Sequence, residues 1–273
     1  MKRVAAAALV NGLLAAGALL TLLPFLWMVS ASLMPTGEAS AIPPRFLPSH
    51  VTTEHYRTLL TRLALGRHVV VSLGLAGTIT VLGLIVNAMA GYAFGKLPFA
   101  GKERIFQVLL AALVIPAQVS MLPLFLMLEG LGLVNTFAGV VIPGLASVFG
   151  IFLIRQHARE IPDSILDAAR IDGAGELTIF RTIGLRLLTP ILVTLALFSF
   201  MGAWNDFLWP LVVLTDDRLY TLPVALANLV GEHVQETELM MAGSVVTVLP
   251  VVLLFVTLQR YYVAGLTSGG VKG

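Results

Sequence analysis

Four polar side chains interrupt long apolar stretches of this sequence, and they are its clearest candidates for binding chemistry. They are Asn87, Gln118, Asn205 and Asp206, and Trp204 precedes the last two. Amides and a carboxylate can hydrogen-bond sugar hydroxyls while an indole stacks on the apolar face of the ring, so this set could line a path for a polar solute. Asn and Gln also link membrane helices by hydrogen bonds, and Trp often anchors membrane edges. Both interpretations stay open.

Motifs for catalysis and for nucleotide binding are absent from the sequence. It contains no cysteine, no GxxxxGKS or GxxxxGKT phosphate loop, and no GxGxxG pattern following a strand. Its five histidines show no i, i+4 pairing and no carboxylate cluster at metal-ligand spacing. We therefore expect a non-catalytic chain with no metal site and no cofactor, so that any energy for work must come from another subunit.

A polar stretch, residues 161–186, lies between apolar parts of the chain. Pro162 and Asp163 suit the first turn of a helix, where a missing N–H and a negative charge are both tolerated. Gly173 stands where a residue in the left-handed conformation would end that helix. After the turn, the apolar spacing predicts a second short helix running towards Leu187. The stretch therefore predicts a helix, a sharp turn and another helix at a membrane surface.

This polar stretch resembles the EAA loop of ABC importer membrane subunits. The family pattern is Glu-Ala-Ala, three residues, Gly, nine residues, Ile, one residue, Leu, Pro. The positions of the loop in this sequence are Asp167, Ala168, Ala169, Asp172, Gly173 and Ile183. Two positions depart from the pattern, because Asp167 replaces Glu and Arg186 stands where Pro is usual. Neither departure removes the turn.

The end of the chain and one internal segment resemble the sugar branch of the same family. Leu258-Gln259-Arg260, the tail Gly265–Gly273 and the segment Trp204–Phe207 look like parts of maltose-type permeases, in particular of their second permease subunit. Taken together, the resemblance covers roughly residues 5 to 273 of the chain.

The resemblance implies a type I ABC importer permease bundle that carries a sugar or oligosaccharide. Its implied partners are a second homologous permease subunit, two ATP-binding cassette subunits and an extracytoplasmic sugar-binding protein. The EAA loop would dock on the ATPase, and the tail residues Gly269, Gly270 and Lys272 would lie toward it. Two alternatives remain: a permease of the same fold for another solute, and a secondary transporter driven by an ion gradient.

Composition indicates an integral membrane protein without reference to any motif. Hydrophobic residues make up 58% and charged residues 12% of the chain, whereas about a quarter of a soluble domain is charged. We expect an all-α chain with one domain over residues 1–273 and six membrane spans. The expected spans are 4–33, 69–94, 105–128 with kinks at Pro116 and Pro123, 137–154, 187–214 and 240–262. The first apolar run is too long for a cleaved signal peptide, which is its alternative interpretation.

Basic residues are distributed unevenly between the expected loops. Residues 1–4, 95–104, 155–186 and 260–273 carry twelve of the seventeen Lys and Arg. By the positive-inside rule these segments, and with them both termini, face the cytoplasm of a cell membrane. Residues 34–68 then form an outer loop. The net charge of only +2 and the scattered basic residues argue against a nucleic-acid partner.

Overall fold

A computed structural model describes residues 2–43, 45–232 and 236–268, and the regular secondary structure in these residues is helical. The α-helices are α1 (Lys2–Ala31), α2 (Glu54–Thr61), α3 (Leu65–Lys96), α4 (Lys102–Ala112), α5 (Ala117–Gly130), α6 (Phe137–Gly144), α7 (Val148–Glu160), α8 (Asp163–Ile171), α9 (Glu176–Ile179), α10 (Leu185–Trp204), α11 (Leu208–Val213), α12 (Leu222–Glu232) and α13 (Thr237–Ser268). A π-helical turn, Phe180–Gly184, joins α9 to α10 without a break. These described residues contain no β-strand.

Among the described residues, five helical segments are long and apolar enough to cross a membrane. They are Leu9–Ala31, Leu65–Lys96, Phe137–Glu160, Glu176–Trp204 and Thr237–Thr257, and the bent pair α4 and α5 makes a sixth if it counts as one span. Leu13, Leu14 and Leu20 of α1 are each more than 60% exposed, as expected where lipid replaces water. The all-helical membrane class is thus confirmed, while the exact six spans and the cytoplasmic termini stay predictions.

The third and fifth expected spans differ most from the helices. In the third, α4 ends at Ala112 and α5 begins at Ala117, and the two helices bend by 103°. Pro116 lies at this break in an extended conformation, whereas Pro123 lies inside α5. In the fifth, the helix begins at Glu176 and ends at Trp204, so it starts and ends about ten residues earlier than the expected 187–214. The second short helix expected after Gly173 is the beginning of this span.

The chain divides into two compact units, and the smaller contains residues 1–66 and 225–252. In it, Ala31, the last residue of α1, forms a buried cluster with Met34 and Ala39. The buried carboxylate of Glu238, in the first turn of α13, accepts a 2.7 Å hydrogen bond from the Ala39 backbone N–H. The loop that follows α1 is therefore fixed by a side chain of α13. The single domain expected from the sequence stays a prediction.

Among the described residues, the larger unit contains 67–224 and 253–268, and its main core lies where α3 meets α7. Ala88 of α3 and Ile154 and Ala158 of α7 are buried in this core. The backbones approach so closely that a Cβ atom on Gly91 would lie 2.6 Å from the Cβ atom of Ile154. Such contacts are typical of membrane helices, which associate through small residues. The core formed by α3 and α7 also contains Leu166 of α8, so the polar loop that follows α7 packs against these two helices.

Candidate functional site

Local chemistry determines both ends of α8, the first helix of the polar loop. Pro162 precedes it with φ −61° and ψ 128°, and Asp163 supplies a negative charge at its first turn. At the other end, Gly173 has φ 86°. The Gly173 N–H donates to the Arg170 carbonyl and the Ala174 N–H to the Ala169 carbonyl, both at 3.0 Å, which is the Schellman motif. The helix thus ends where the sequence predicted.

The outer face of α8 carries three apolar residues. Ile165, Ala168 and Ile171 are spaced three residues apart and all are exposed, with Ile171 86% accessible. Asp172, at the end of the helix, is also exposed. An exposed apolar face on an otherwise charged loop is typical of a protein–protein contact.

The inner face of α8 packs on the core of the larger unit. Leu166 is only 1% exposed, and Ala169 and Ile183 pack as partly buried residues against the same core. Of the residues that carry the EAA resemblance, Ala169 and Ile183 therefore hold the loop to the helices. Leu166 was missed in the sequence, although its neighbours follow a helical spacing that places it on the inner face.

Arg170 connects the two halves of the loop. Its guanidinium donates to Asp167 Oδ1 at 2.6 Å and to Glu176 Oε1 at 2.7 Å, so α8 and α9 share one cation. These hydrogen bonds, that of Glu176 first and that of Asp167 next, raise the pKa of Arg170. Because the Arg170 side chain is 34% accessible and both carboxylates are more accessible still, the pairs contribute little stability, and their effect is on geometry. The sequence interpretation missed Arg170, although its i, i+3 spacing from Asp167 was visible.

Lys96, the last residue of α3, contacts the start of α8. Its ammonium donates to the Ile161 carbonyl at 2.5 Å and to Asp163 Oδ1 at 2.7 Å. The Lys96 side chain is 5% exposed, whereas that of Asp163 is 77% exposed. The hydrogen bond and positive charge of Lys96 lower the pKa of the Asp163 carboxyl. No local pattern in the sequence links these residues, which are far apart in the chain.

The candidate solute-binding segment after α10 does not form one surface. Trp204 is 1% exposed and its ring stacks on Phe200 with centroids 6.0 Å apart. Asn205 is exposed, and its amide donates to the Met201 carbonyl at 2.9 Å. Asp206 is half-buried and accepts a 3.4 Å hydrogen bond from the backbone N–H of Trp209. Asp206, expected inside a span, thus lies at the break between α10 and α11.

Asn87 and Gln118 lie in different settings. Asn87 is buried on α3, where its oxygen accepts from the Ser147 N–H at 2.9 Å and its amide donates to the Leu145 carbonyl at 3.3 Å. Both partners are backbone groups freed between α6 and α7, so Asn87 links helices as one interpretation predicted. Gln118 is exposed near the start of α5. No hydrogen bond among the described residues joins Asn87, Gln118 and Asp206.

Two expectations concern the chain ends and metals. Gly269, Gly270 and Lys272 lie outside the described residues, so the predicted position of the tail stays a prediction. Within the described ranges, no group of three His, Cys, Asp or Glu residues could hold a metal ion.

Comparison with known protein families identifies the family of this chain. The model of the family described as binding-protein-dependent transport system inner membrane component matches residues 80–268. The chain belongs to this family. The matched range begins in α3 and contains α8, its Gly173 turn and the break after Trp204. The resemblance of the chain to ABC importer permeases is thus confirmed, while the coupling role of the polar loop stays a prediction.

Several curated relatives of this permease carry names of carbohydrate transporters. The arabinooligosaccharides transport system permease protein of Halalkalibacterium halodurans is 39% identical over 94% of this chain and 93% of its own length. The melibiose/raffinose/stachyose import permease protein of Bacillus subtilis is 33% identical over 92% and 91%. The trehalose transport system permease protein of Mycobacterium tuberculosis is 35% identical over 92% and 93%.

A solved structure shares the fold of this permease. A chain from the crystal structure of a bacterial ABC transporter involved in the import of the acidic polysaccharide alginate matches with a TM-score of 0.82 and 25% identity. The match covers 93% of this permease and 96% of that chain. The helical arrangement is therefore that of an ABC importer permease.

Proposed function

We propose that this chain is the membrane-spanning, non-catalytic subunit of an ATP-driven importer for a sugar or oligosaccharide. The observation that carries the proposal is the near full-length similarity to permeases named for arabinooligosaccharides, melibiose, raffinose, stachyose and trehalose. The match to a chain of an alginate importer supports the same class of solute. ATP is hydrolysed by a partner chain.

One relative supports a second candidate solute. The osmoprotective compounds uptake permease protein of a Synechocystis strain is 33% identical over 80% of this chain. A permease of the same family that imports a non-sugar osmolyte is therefore the alternative. The two candidates differ in the solute that competes for uptake, so a direct transport measurement separates them.

The proposed complex contains a second homologous permease subunit, two ATP-binding cassette subunits and an extracytoplasmic solute-binding protein, all within lipid. Docking of the ATPase on α8 is supported by the exposed apolar face at Ile165, Ala168 and Ile171. The charge distribution supports six spans with both termini in the cytoplasm. The tail at Gly269, Gly270 and Lys272 is proposed to lie toward the ATPase.

We further propose that the break after α10 borders the translocation path. Asn205 is exposed and Asp206 half-buried there, and Trp204 packs behind them. Gln118 is exposed as well and stays a candidate for the same path. The role of Asn87 is more indirect, since its hydrogen bonds hold the break between α6 and α7.

Uptake by the purified complex tests the proposal. The permease is tagged and co-purified with the subunits expressed from neighbouring reading frames, reconstituted into liposomes with ATP inside, and supplied with the external binding protein. ATP-dependent uptake of one radiolabelled saccharide, competed by that saccharide and not by a non-sugar osmolyte such as glycine betaine, is the expected result. Uptake competed only by the osmolyte supports the alternative, and uptake driven by an ion gradient without ATP contradicts both.

Orientation is tested with single cysteines, since the natural chain has none. Ser49→Cys lies in the proposed outer loop and Ser164→Cys in the proposed cytoplasmic loop. An impermeant maleimide added to intact cells should label Ser49→Cys, and should label Ser164→Cys only after the membrane is opened. The opposite pattern would mean that the chain is inverted.

A further inference from the structure

The joint between α7 and α8 is only two residues long. α7 ends at Glu160 and α8 begins at Asp163, with Ile161 and Pro162 between them in extended conformations. Because the proline ring fixes φ at Pro162, few torsions are free to change at the joint. The direction of α8 relative to α7 therefore depends on what holds these two residues, together with the packing of Leu166 in the core.

Lys96 holds the joint from both sides. Its ammonium bonds the carbonyl of Ile161, before Pro162, and the carboxylate of Asp163, after it. A charged group that is 95% removed from solvent is costly unless its hydrogen bonds are satisfied, so the ammonium favours the geometry in which both acceptors point at it. The end of α3 is thereby attached to the first turn of α8.

The packing of α3 on α7 does not depend on Lys96. The buried Arg155 of α7 donates from Nε to the Phe94 carbonyl of α3 at 3.2 Å, and its Nη2 bonds both carboxylate oxygens of Glu103 at 2.7 Å. The close contact at Gly91 lies one and a half turns before Lys96 on the same helix. Loss of the Lys96 ammonium should therefore loosen the first turn of α8, while Leu166 stays packed in the core and the two long helices stay together.

We propose that Lys96 is a positioning residue for energy coupling: it sets the direction of α8 and transmits the movement of α8 to α3. The inference rests on the proposed function, in which the ATPase docks on α8. α3 also carries Asn87, whose hydrogen bonds hold the break between α6 and α7. Lys96 thus links the proposed ATPase contact on α8 to α3, the helix that supports the break between α6 and α7.

The reconstituted complex provides the first test. Lys96→Met keeps the apolar stem and removes the charge. The matched control is Lys102→Met, because Lys102 donates to the Leu97 carbonyl at 3.2 Å and, among the described residues, has no hydrogen bond to α8. We expect Lys96→Met to keep its ATPase subunits but to lose about tenfold in solute transported per ATP, within the range usual for coupling between sites. Lys102→Met should behave like the natural chain.

A double-mutant cycle shows whether Lys96 and Asp163 affect transport through their contact with each other or independently. If Asp163 acts through Lys96, the variant that combines Lys96→Met with Asp163→Asn should transport no worse than Lys96→Met alone. Additive losses would contradict action through the pair. Lys96→Met with a normal ratio of transport to ATP, even if less complex assembles, would reduce Lys96 to a stabilising role and overturn the proposal.

A second measurement does not depend on which solute is carried. A nitroxide attached at Ser164→Cys, an exposed position on α8, reports the motion of that helix in the assembled complex. We expect Lys96→Met to raise the mobility of this label and Lys102→Met to leave it unchanged. An immobile label in Lys96→Met overturns the inference even if the complex transports no sugar, whereas absent sugar uptake by the natural complex contradicts only the proposed function.

Discussion

Replacing Gly91 by alanine tests whether α3 and α7 touch through their backbones. The added Cβ atom would lie 2.6 Å from Ile154 Cβ, 2.7 Å from Ile154 Cγ2 and 3.0 Å from the Ile151 carbonyl oxygen. Carbon atoms pack best at about 3.5–4.0 Å, so one helix must move by about 1 Å. Ile154 is fully buried, and its Cβ atom cannot rotate away. The strain must therefore be relieved by the backbone.

The expected cost follows from this overlap. Overpacking of a core by one methyl group costs about 1–3 kcal/mol. Alanine recovers up to about 1 kcal/mol through its better helix propensity, so a net loss of about 1–2 kcal/mol is expected for Gly91→Ala. Gly77 is the matched control on the same helix, because a Cβ atom there has no neighbour within 4 Å. Gly77→Ala should be neutral or stabilising.

Thermal unfolding of the purified permease, followed by tryptophan fluorescence, measures this difference. We expect Gly91→Ala to unfold about 2–8 °C below the natural chain, using the shift per kcal/mol of soluble domains of 150–250 residues. Gly77→Ala should unfold at or above the unfolding temperature of the natural chain. Uptake should fall with Gly91→Ala, because α7 leads directly into α8. If both variants unfold alike, the close approach of α3 and α7 is refuted.

Three further predictions concern the loop and the helix breaks. Asn87→Leu leaves the Ser147 N–H without its acceptor and should cost about 1–3 kcal/mol in thermal unfolding, while the exposed Gln118→Leu should change little. Gly173→Val places a β-branched residue at φ 86°, which strains the backbone by about 1 kcal/mol or more, and we expect this variant to lose the ATPase subunits on purification. The control Gly175→Val should retain them, because Gly175 has φ −73° and a Cβ atom there meets no neighbour within 4 Å. The hydrogen bond from Lys96 lowers the pKa of Asp163. The ionised Asp163 carboxylate therefore stabilises the folded chain at neutral pH, and this stabilisation is lost as pH falls through the lowered pKa. The unfolding temperatures of the natural chain and of Asp163→Asn should therefore converge in acid, and a constant difference would contradict this.

The sequence predicted best what depends on neighbouring residues. The end of α8 followed from Gly173 alone, because only a residue tolerant of positive φ suits that position. Long apolar runs likewise predicted most of the membrane helices, since a span needs length and hydrophobicity but no particular partner. The family resemblance rested on the same local patterns.

What the sequence did not predict depends on distant contacts or on breaks within apolar segments. A second short helix was expected after Gly173, separate from a span that begins at residue 187, but a helix satisfies its own backbone whatever its side chains are, so α9 and α10 run together. Asp206 was expected in a span because its neighbours are apolar, yet the helix stops at Trp204. The Lys96–Asp163 pair joins residues on helices that are separated by four others in the chain.

The π-helical turn at Phe180–Gly184 has a consequence for helix phase. Leu177 and Leu185 line the same groove of about 460 Å³ as Leu84 of α3. In a regular α-helix, eight residues at about 100° each would leave these two leucines about 80° apart. The π-helical turn rotates by less than 100° per residue, so it reduces the angle between Leu177 and Leu185. A single-residue deletion inside it would keep the helix continuous while rotating the membrane-embedded half against the half that leads to α8.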